Sequence, residues 1–179
     1  MRERVLTQPA LTCCAQLGAG TAALSVALAC AYDDVAEVLA TDLPSVLPLL
    51  RRNVERIPSG RNVRAAALPW GCDLDAALRG PDLVLCCEIA YWGGWSLLCE
   101  DTRAPLRRTL LQLRGPNTVV LFACTLRDAD RELGLVRALQ DEDGWHCRCV
   151  RGSLRRHTPA DTCCQRRAGR RCAGERAGR

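Results

Sequence analysis

Apolar residues along this chain fall into short runs, separated by segments whose apolar positions recur every three or four residues. Runs at 11–17, 37–41, 62–68, 82–87 and 117–124 predict strands, with a weaker one at 145–150. Leu83-Val84-Leu85-Cys86-Cys87 is apolar on both alternating faces, as a strand buried inside a parallel sheet must be. Between the runs, Val46, Leu49, Leu50 and Val54 share one stripe and predict a helix over 45–57. Similar stripes predict helices over 103–113, through Leu106, Leu110 and Leu113, and over 128–140, through Leu133, Val136 and Leu139. A small-residue helix over 22–31 and a shorter helical piece over 73–78 complete the pattern. Strands alternating with helices in this way predict an α/β class with a doubly wound, mostly parallel sheet.

The 179 residues suffice for one full core, and no linker divides them into two domains. Charge changes that picture at one end. Residues 1–144 carry 15 Arg against 18 acids, whereas residues 145–179 carry ten Arg against only Asp161 and Glu175. The expectation is a folded domain over 1–150 and an Arg- and Cys-rich tail over 151–179. That tail lacks the apolar spacing needed to repay its ordering entropy, so it is expected to be disordered. Any contact it makes with nucleic acid would be non-specific. All 25 basic residues are arginine, which reads as a compositional bias.

The 13 cysteines form no regular loop-rich framework. Cys13, Cys14, Cys86, Cys87 and Cys124 fall within predicted strands, where cysteine serves as a small apolar side chain. A reducing compartment, cytoplasmic or nuclear, follows. Cys147, Cys149, His157, Cys163, Cys164 and Cys172 lack the paired spacing of a zinc site, so no metal is expected. No apolar run approaches the roughly 20 residues that span a bilayer.

Candidate chemistry begins at Gln16-Leu17-Gly18-Ala19-Gly20-Thr21-Ala22. This glycine turn follows the first predicted strand and opens the small-residue helix, and the second strand then ends at Asp42. Glycines let the backbone approach a ligand, a helix N-terminus offers N–H groups, and an acid about 20 residues on can accept from ribose hydroxyls. The strand–turn–helix–strand–acid order predicts a nucleoside site. The fingerprint also fits a nicotinamide-dependent oxidoreductase, but a chain without lysine cannot hold the Tyr-x-x-x-Lys pair of one such class.

Four passages resemble the seven-strand, S-adenosylmethionine-dependent methyltransferases, specifically family-16 protein-lysine methyltransferases of the methyltransferase-like-21 type. They are Gln16 to Thr21, Ala40-Thr41-Asp42-Leu43-Pro44 running on to Asn53-Val54, Leu68-Pro69-Trp70-Gly71, and Glu88-Ile89-Ala90-Tyr91-Trp92. The resemblance spans about Leu11 to Trp145. It implies a Rossmann-like sheet of seven strands, with S-adenosyl-L-methionine as cofactor and a lysine of a protein substrate as acceptor. On the cofactor side it implies Gln16, Gly18, Gly20, Asp42 and Trp70; on the catalytic, acceptor side it implies Glu88 and Tyr91. Trp92 and Trp95, flanking Gly93-Gly94, are suited to lining a peptide groove or, equally, to packing against a neighbouring helix. The chain has Gln16, Ala22 and Glu88 where the family commonly has Glu, Gly and Asp. Few residues precede the first motif, so the sheet is expected to be truncated at its N-terminus and incomplete at its last strands. The protein is expected to be a monomer. Two other outcomes stay open: an inactive relative that only binds, and a methyltransferase with a non-lysine acceptor.

Overall fold

A computed structural model describes residues 12–57, 62–75, 78–89, 102–125 and 129–148. Among the described residues the order of elements is β1 (Cys13–Leu17), α1 (Ala23–Ala31), β2 (Glu37–Asp42), α2 (Leu47–Val54), β3 (Val63–Ala67), β4 (Leu83–Cys87), α3 (Arg103–Leu113), β5 (Val119–Ala123) and α4 (Ala129–Asp141). The strands form one sheet in the order β3-β2-β1-β4-β5, and every pairing is parallel. The order runs outward from β1 in both directions, so β1 and β4 flank the point where the winding reverses. This is the expected α/β class. Five of the seven expected strands lie among the described residues.

Burial follows position in the sheet. β1, β2 and β4 are buried along nearly their whole length, on both alternating faces, whereas the outer strands β3 and β5 are only partly covered. One face carries Cys14, Val38, Ala40, Val63, Leu83 and Leu85, packed with Ala29 of α1 and Leu50 of α2. Helix α2 has a proline in its first turn, where a missing N–H costs nothing, and Arg51 and Arg52 in its last turn, facing the negative end of the helix dipole. Helix α3 buries Leu106, Leu110 and Leu113 at the four- and three-residue spacing of one stripe.

Burial pushes the Cys14 thiol up to about 12, with smaller upward contributions from Cys13 and Asp82. Cys86, almost wholly enclosed, is pushed up further for the same reason. Both stay protonated and pack as small apolar groups. Cys124 differs from the expectation, because it falls one residue past β5 and is exposed.

Two expected elements are corrected. Residues 73–75 are not helical, because Gln112 of α3 takes up their backbone: Leu74 N–H donates to Gln112 Oε1 at 2.9 Å, and Gln112 Nε2 donates to the Cys72 carbonyl at 2.9 Å. Leu78 N–H donates to the Asp75 carbonyl at 3.0 Å, and positions 76–77 of the expected helix lie outside the described residues. Residues 145–148 form no strand. The chain turns at Gly144, with φ 69, and Trp145 N–H returns to the Leu139 carbonyl of α4 at 2.9 Å. The tail 151–179 lies outside the described residues, as do positions 149–150. Among the described residues, no helix is long and apolar enough to cross a membrane.

Candidate cofactor and acceptor site

The C-terminal ends of the parallel strands bring the expected site residues to one edge of the sheet. Leu17 ends β1 and the glycine turn follows, with Gly18 at φ 60, Gly20 at φ 54 and Ala22 at φ 65. Three left-handed residues in five make a tight reversal that favours glycine and small side chains. The turn is fastened to β2, since Ala19 N–H donates to the Thr41 carbonyl at 2.8 Å. Asp42, the last residue of β2, adds a second tie. Its Oδ2 accepts from Gly20 N–H and its Oδ1 from Leu43 N–H, both at 2.7 Å. Asn53 of α2 supports the turn from outside, donating through Nδ2 to the Thr21 carbonyl at 3.1 Å.

Gln16 lies under the turn, only 3% exposed. Its Oε1 accepts from the Ser25 hydroxyl of α1 at 2.6 Å, and its backbone carbonyl accepts from the Thr41 hydroxyl at 2.7 Å. A neutral amide oxygen there is satisfied by one neutral hydroxyl, without a buried charge. Ser25 was not legible as part of the site, because a serine nine positions after Gln16 carries no spacing signal.

Trp70 follows β3 on a segment tied at both ends. Leu68 N–H donates to the Asp42 carbonyl at 2.8 Å, and Gly71 N–H donates to the buried Thr109 hydroxyl of α3 at 2.9 Å. The half-buried indole reaches the glycine turn: a Cβ built on Gly18 would lie 3.6 Å from Trp70 Cζ2. That same Cβ would lie 2.7 Å from Ile89 Cγ2, so Gly18 is also where the segment after β4 crosses the segment after β1. Ile89, buried and so far only one member of the Glu88 to Trp92 passage, therefore joins the site. A Cβ on Gly20 would meet nothing within 4 Å.

Glu88 leaves β4 with φ 51, a conformation rare for a long side chain. Its N–H donates to the Ala123 carbonyl of β5 at 2.7 Å. Its Oε1 accepts from Thr125 N–H at 2.7 Å and from the Thr125 hydroxyl at 2.9 Å. Backbone of this kind concentrates at functional sites. Tyr91, Trp92 and Trp95 lie outside the described residues. Gln16, Gly18, Gly20, Asp42, Trp70 and Glu88 thus all sit at the strand ends around β1 and β4, the crevice where ligands bind in open α/β sheets.

The residues present fit an adenosyl sulfonium cofactor. Asp42 is an acceptor at the end of β2, the space beside Gly20 is open, and Trp70 offers a half-buried aromatic edge. A family model described as lysine methyltransferase matches residues 11–141. Protein N-lysine methyltransferase METTL21A of Danio rerio is 37% identical over 116 residues, which is 63% of this chain and 49% of that protein. The Mus musculus protein of the same name is 34% identical over 116 residues, with the same coverage. The chain spans about half the length of these curated relatives. Among solved structures, the S-adenosylmethionine-dependent methyltransferase SibL in its apo form matches with a TM-score of 0.51 and 25% identity, covering 76% of this chain and 39% of that one.

Proposed function

The chain belongs to the lysine methyltransferase family, and from that premise we propose that it transfers a methyl group from S-adenosylmethionine to a lysine side chain of a protein substrate. The observation that carries this reading is the Asp42–Gly20 bond, which joins the acid at the end of β2 to the glycine turn after β1. A carboxylate oxygen has a second lone pair, so Asp42 can hold Gly20 N–H and still accept from a ribose hydroxyl. Trp70 borders the same crevice and offers a face for the adenine ring. When bound, the cofactor supplies an electrophilic methyl on a cationic sulfur. Gln16 keeps a hydrogen-bonding group beneath that cation but brings no charge, a handicap of about 1.5–3 kcal/mol at most.

Transfer is an in-line displacement, so positioning dominates the rate. The acceptor amine must be neutral, while a free lysine has a pKa of about 10.4. Glu88, at the end of β4 with its carboxylate held by Thr125 after β5, is assigned to hold the incoming ammonium and to steer the amine as its proton leaves. Tyr91 is assigned to the same acceptor side. The domain is taken as residues 1–150, with 151–179 as a basic tail making at most non-specific contacts. The protein is taken to act as a monomer in the cytoplasm or nucleus, where the strand cysteines would remain thiols.

Calorimetric titration should find S-adenosylmethionine or its demethylated product bound far more tightly than NAD. Asp42→Ala should weaken that binding without unfolding the chain. Labelled cofactor added with a cell lysate should mark a protein, and mass spectrometry should find the methyl on lysine. Glu88→Gln should keep cofactor affinity and lower transfer by about 10²-fold, the lower range for loss of a group that handles a proton. Tighter NAD binding would reject the cofactor, and methylated arginine or a small-molecule product would reject the acceptor. Binding with no transfer would identify an inactive relative.

A further inference from the structure

We propose that Thr125 is a positioning residue for the acceptor side, a role that rests on the transferase reading of Glu88. The segment leaving β5 grips Glu88 twice. Ala123 takes its backbone N–H, and two residues later Thr125 donates both its N–H and its hydroxyl to the single oxygen Oε1, at 2.7 and 2.9 Å. Both residues are exposed, so neither bond seals the core. Exposed hydrogen bonds of this kind add little to stability, because water can replace them.

Their effect is on freedom of motion. An exposed glutamate has several rotamers within reach, and each alternative carries its carboxylate away from a defined point. Two donors converging on Oε1 restrain that oxygen. The left-handed backbone at Glu88 aims the side chain toward residues 123–125, and Thr125 holds it at the far end. A group that presents an amine to an in-line displacement needs such restraint, since misplacement of about 1 Å can cost 10²-fold in rate. The Thr125 hydroxyl therefore acts through Glu88 and touches neither cofactor nor acceptor.

The test uses the full chain with the acceptor protein identified from the labelled lysate. Thr125→Val keeps the shape and the N–H and removes only the hydroxyl. Its kcat should fall about tenfold, the equivalent of one charge-assisted hydrogen bond. The KM for the acceptor, the cofactor affinity and the melting temperature should hold at their original values. Thr125→Ser restores a hydroxyl and should recover most of the rate. Unchanged kcat in Thr125→Val, or an equal loss in Thr125→Ser, would overturn the proposal, as would a parallel loss of cofactor affinity. An original chain that binds cofactor but methylates nothing would reject the transferase reading, and this role with it. A defect confined to Thr125→Val supports both.

Discussion

One methyl group distinguishes the two glycines of the β1 turn. Both have left-handed backbone, but a Cβ on Gly20 would enter open space, whereas one on Gly18 would strike Ile89 Cγ2. Gly20→Ala should therefore cost only the conformational penalty, about 1–2 kcal/mol. Gly18→Ala should cost that plus overpacking of about 1–3 kcal/mol. Urea unfolding midpoints compare the two directly, and equal losses would show that Ile89 yields without cost. Trimming Ile89 to Ala in the Gly18→Ala background should return part of the difference, because neighbours in contact do not add. Spacing alone was enough to group Gly18, Gly20 and Asp42. It could not show that Gly18 makes room for Ile89 as well as for a ligand, since contacts between distant loops leave no local pattern. The Ser25–Gln16 bond was hidden for the same reason.

Between elements, a single carboxylate fastens the starts of β1 and β4. Asp82 Oδ2 accepts from the Thr12 hydroxyl at 2.7 Å, from Cys13 N–H at 3.0 Å and from Thr12 N–H at 2.8 Å. These donors, the Thr12 hydroxyl foremost, hold the Asp82 carboxyl below the usual carboxylate range against a smaller opposing push from burial. Because the native value lies below the unfolded one, the clamp stabilises fully above the unfolded value of about 3.9. Its contribution fades as pH falls through that value toward the native one. Urea midpoints of the original chain and Asp82→Asn should thus differ most near neutrality and converge in acid, and a gap independent of pH would reject the linkage. Element type was legible because short continuous apolar runs and a 3.6-residue period are distinct signals over five or more residues. Ends were less so. The helix expected over 45–57 shrinks to Leu47–Val54, preceded by a turn in which the Leu43 carbonyl accepts from Val46 N–H. Residues 73–75 escaped helical form because a glutamine on α3 supplied partners that no local pattern reveals.

Across the whole molecule, the buried cysteines offer a measure of global opening. Cys14 on β1 and Cys86 on β4 sit in adjacent central strands, while Cys30 and Cys72 are exposed. Iodoacetamide at about pH 8 should alkylate Cys30 and Cys72 in the native protein and reach Cys14 and Cys86 only when the sheet unfolds. Rapid labelling of Cys86 would show that the centre of the sheet opens locally. The sheet was legible as a whole because its middle strands are continuous apolar runs, whereas the weaker run at 145–150 misled, since its described residues 145–148 form no strand. The strand order carries a further consequence for biosynthesis. Among the described strands β1 is made before the others yet ends at the centre, with Cys13 paired to Glu37 of β2 and Cys14 to Leu83 of β4. A ribosome delivers β2 soon after β1, but the other edge of β1 must wait until β4 has emerged. Until then the nascent chain carries an apolar strand with one side uncovered, the kind of exposure that chaperones recognise. The bonds that Asp82 makes to Thr12 and Cys13 form only at the end of that interval, and they mark the moment at which the newborn sheet closes over β1.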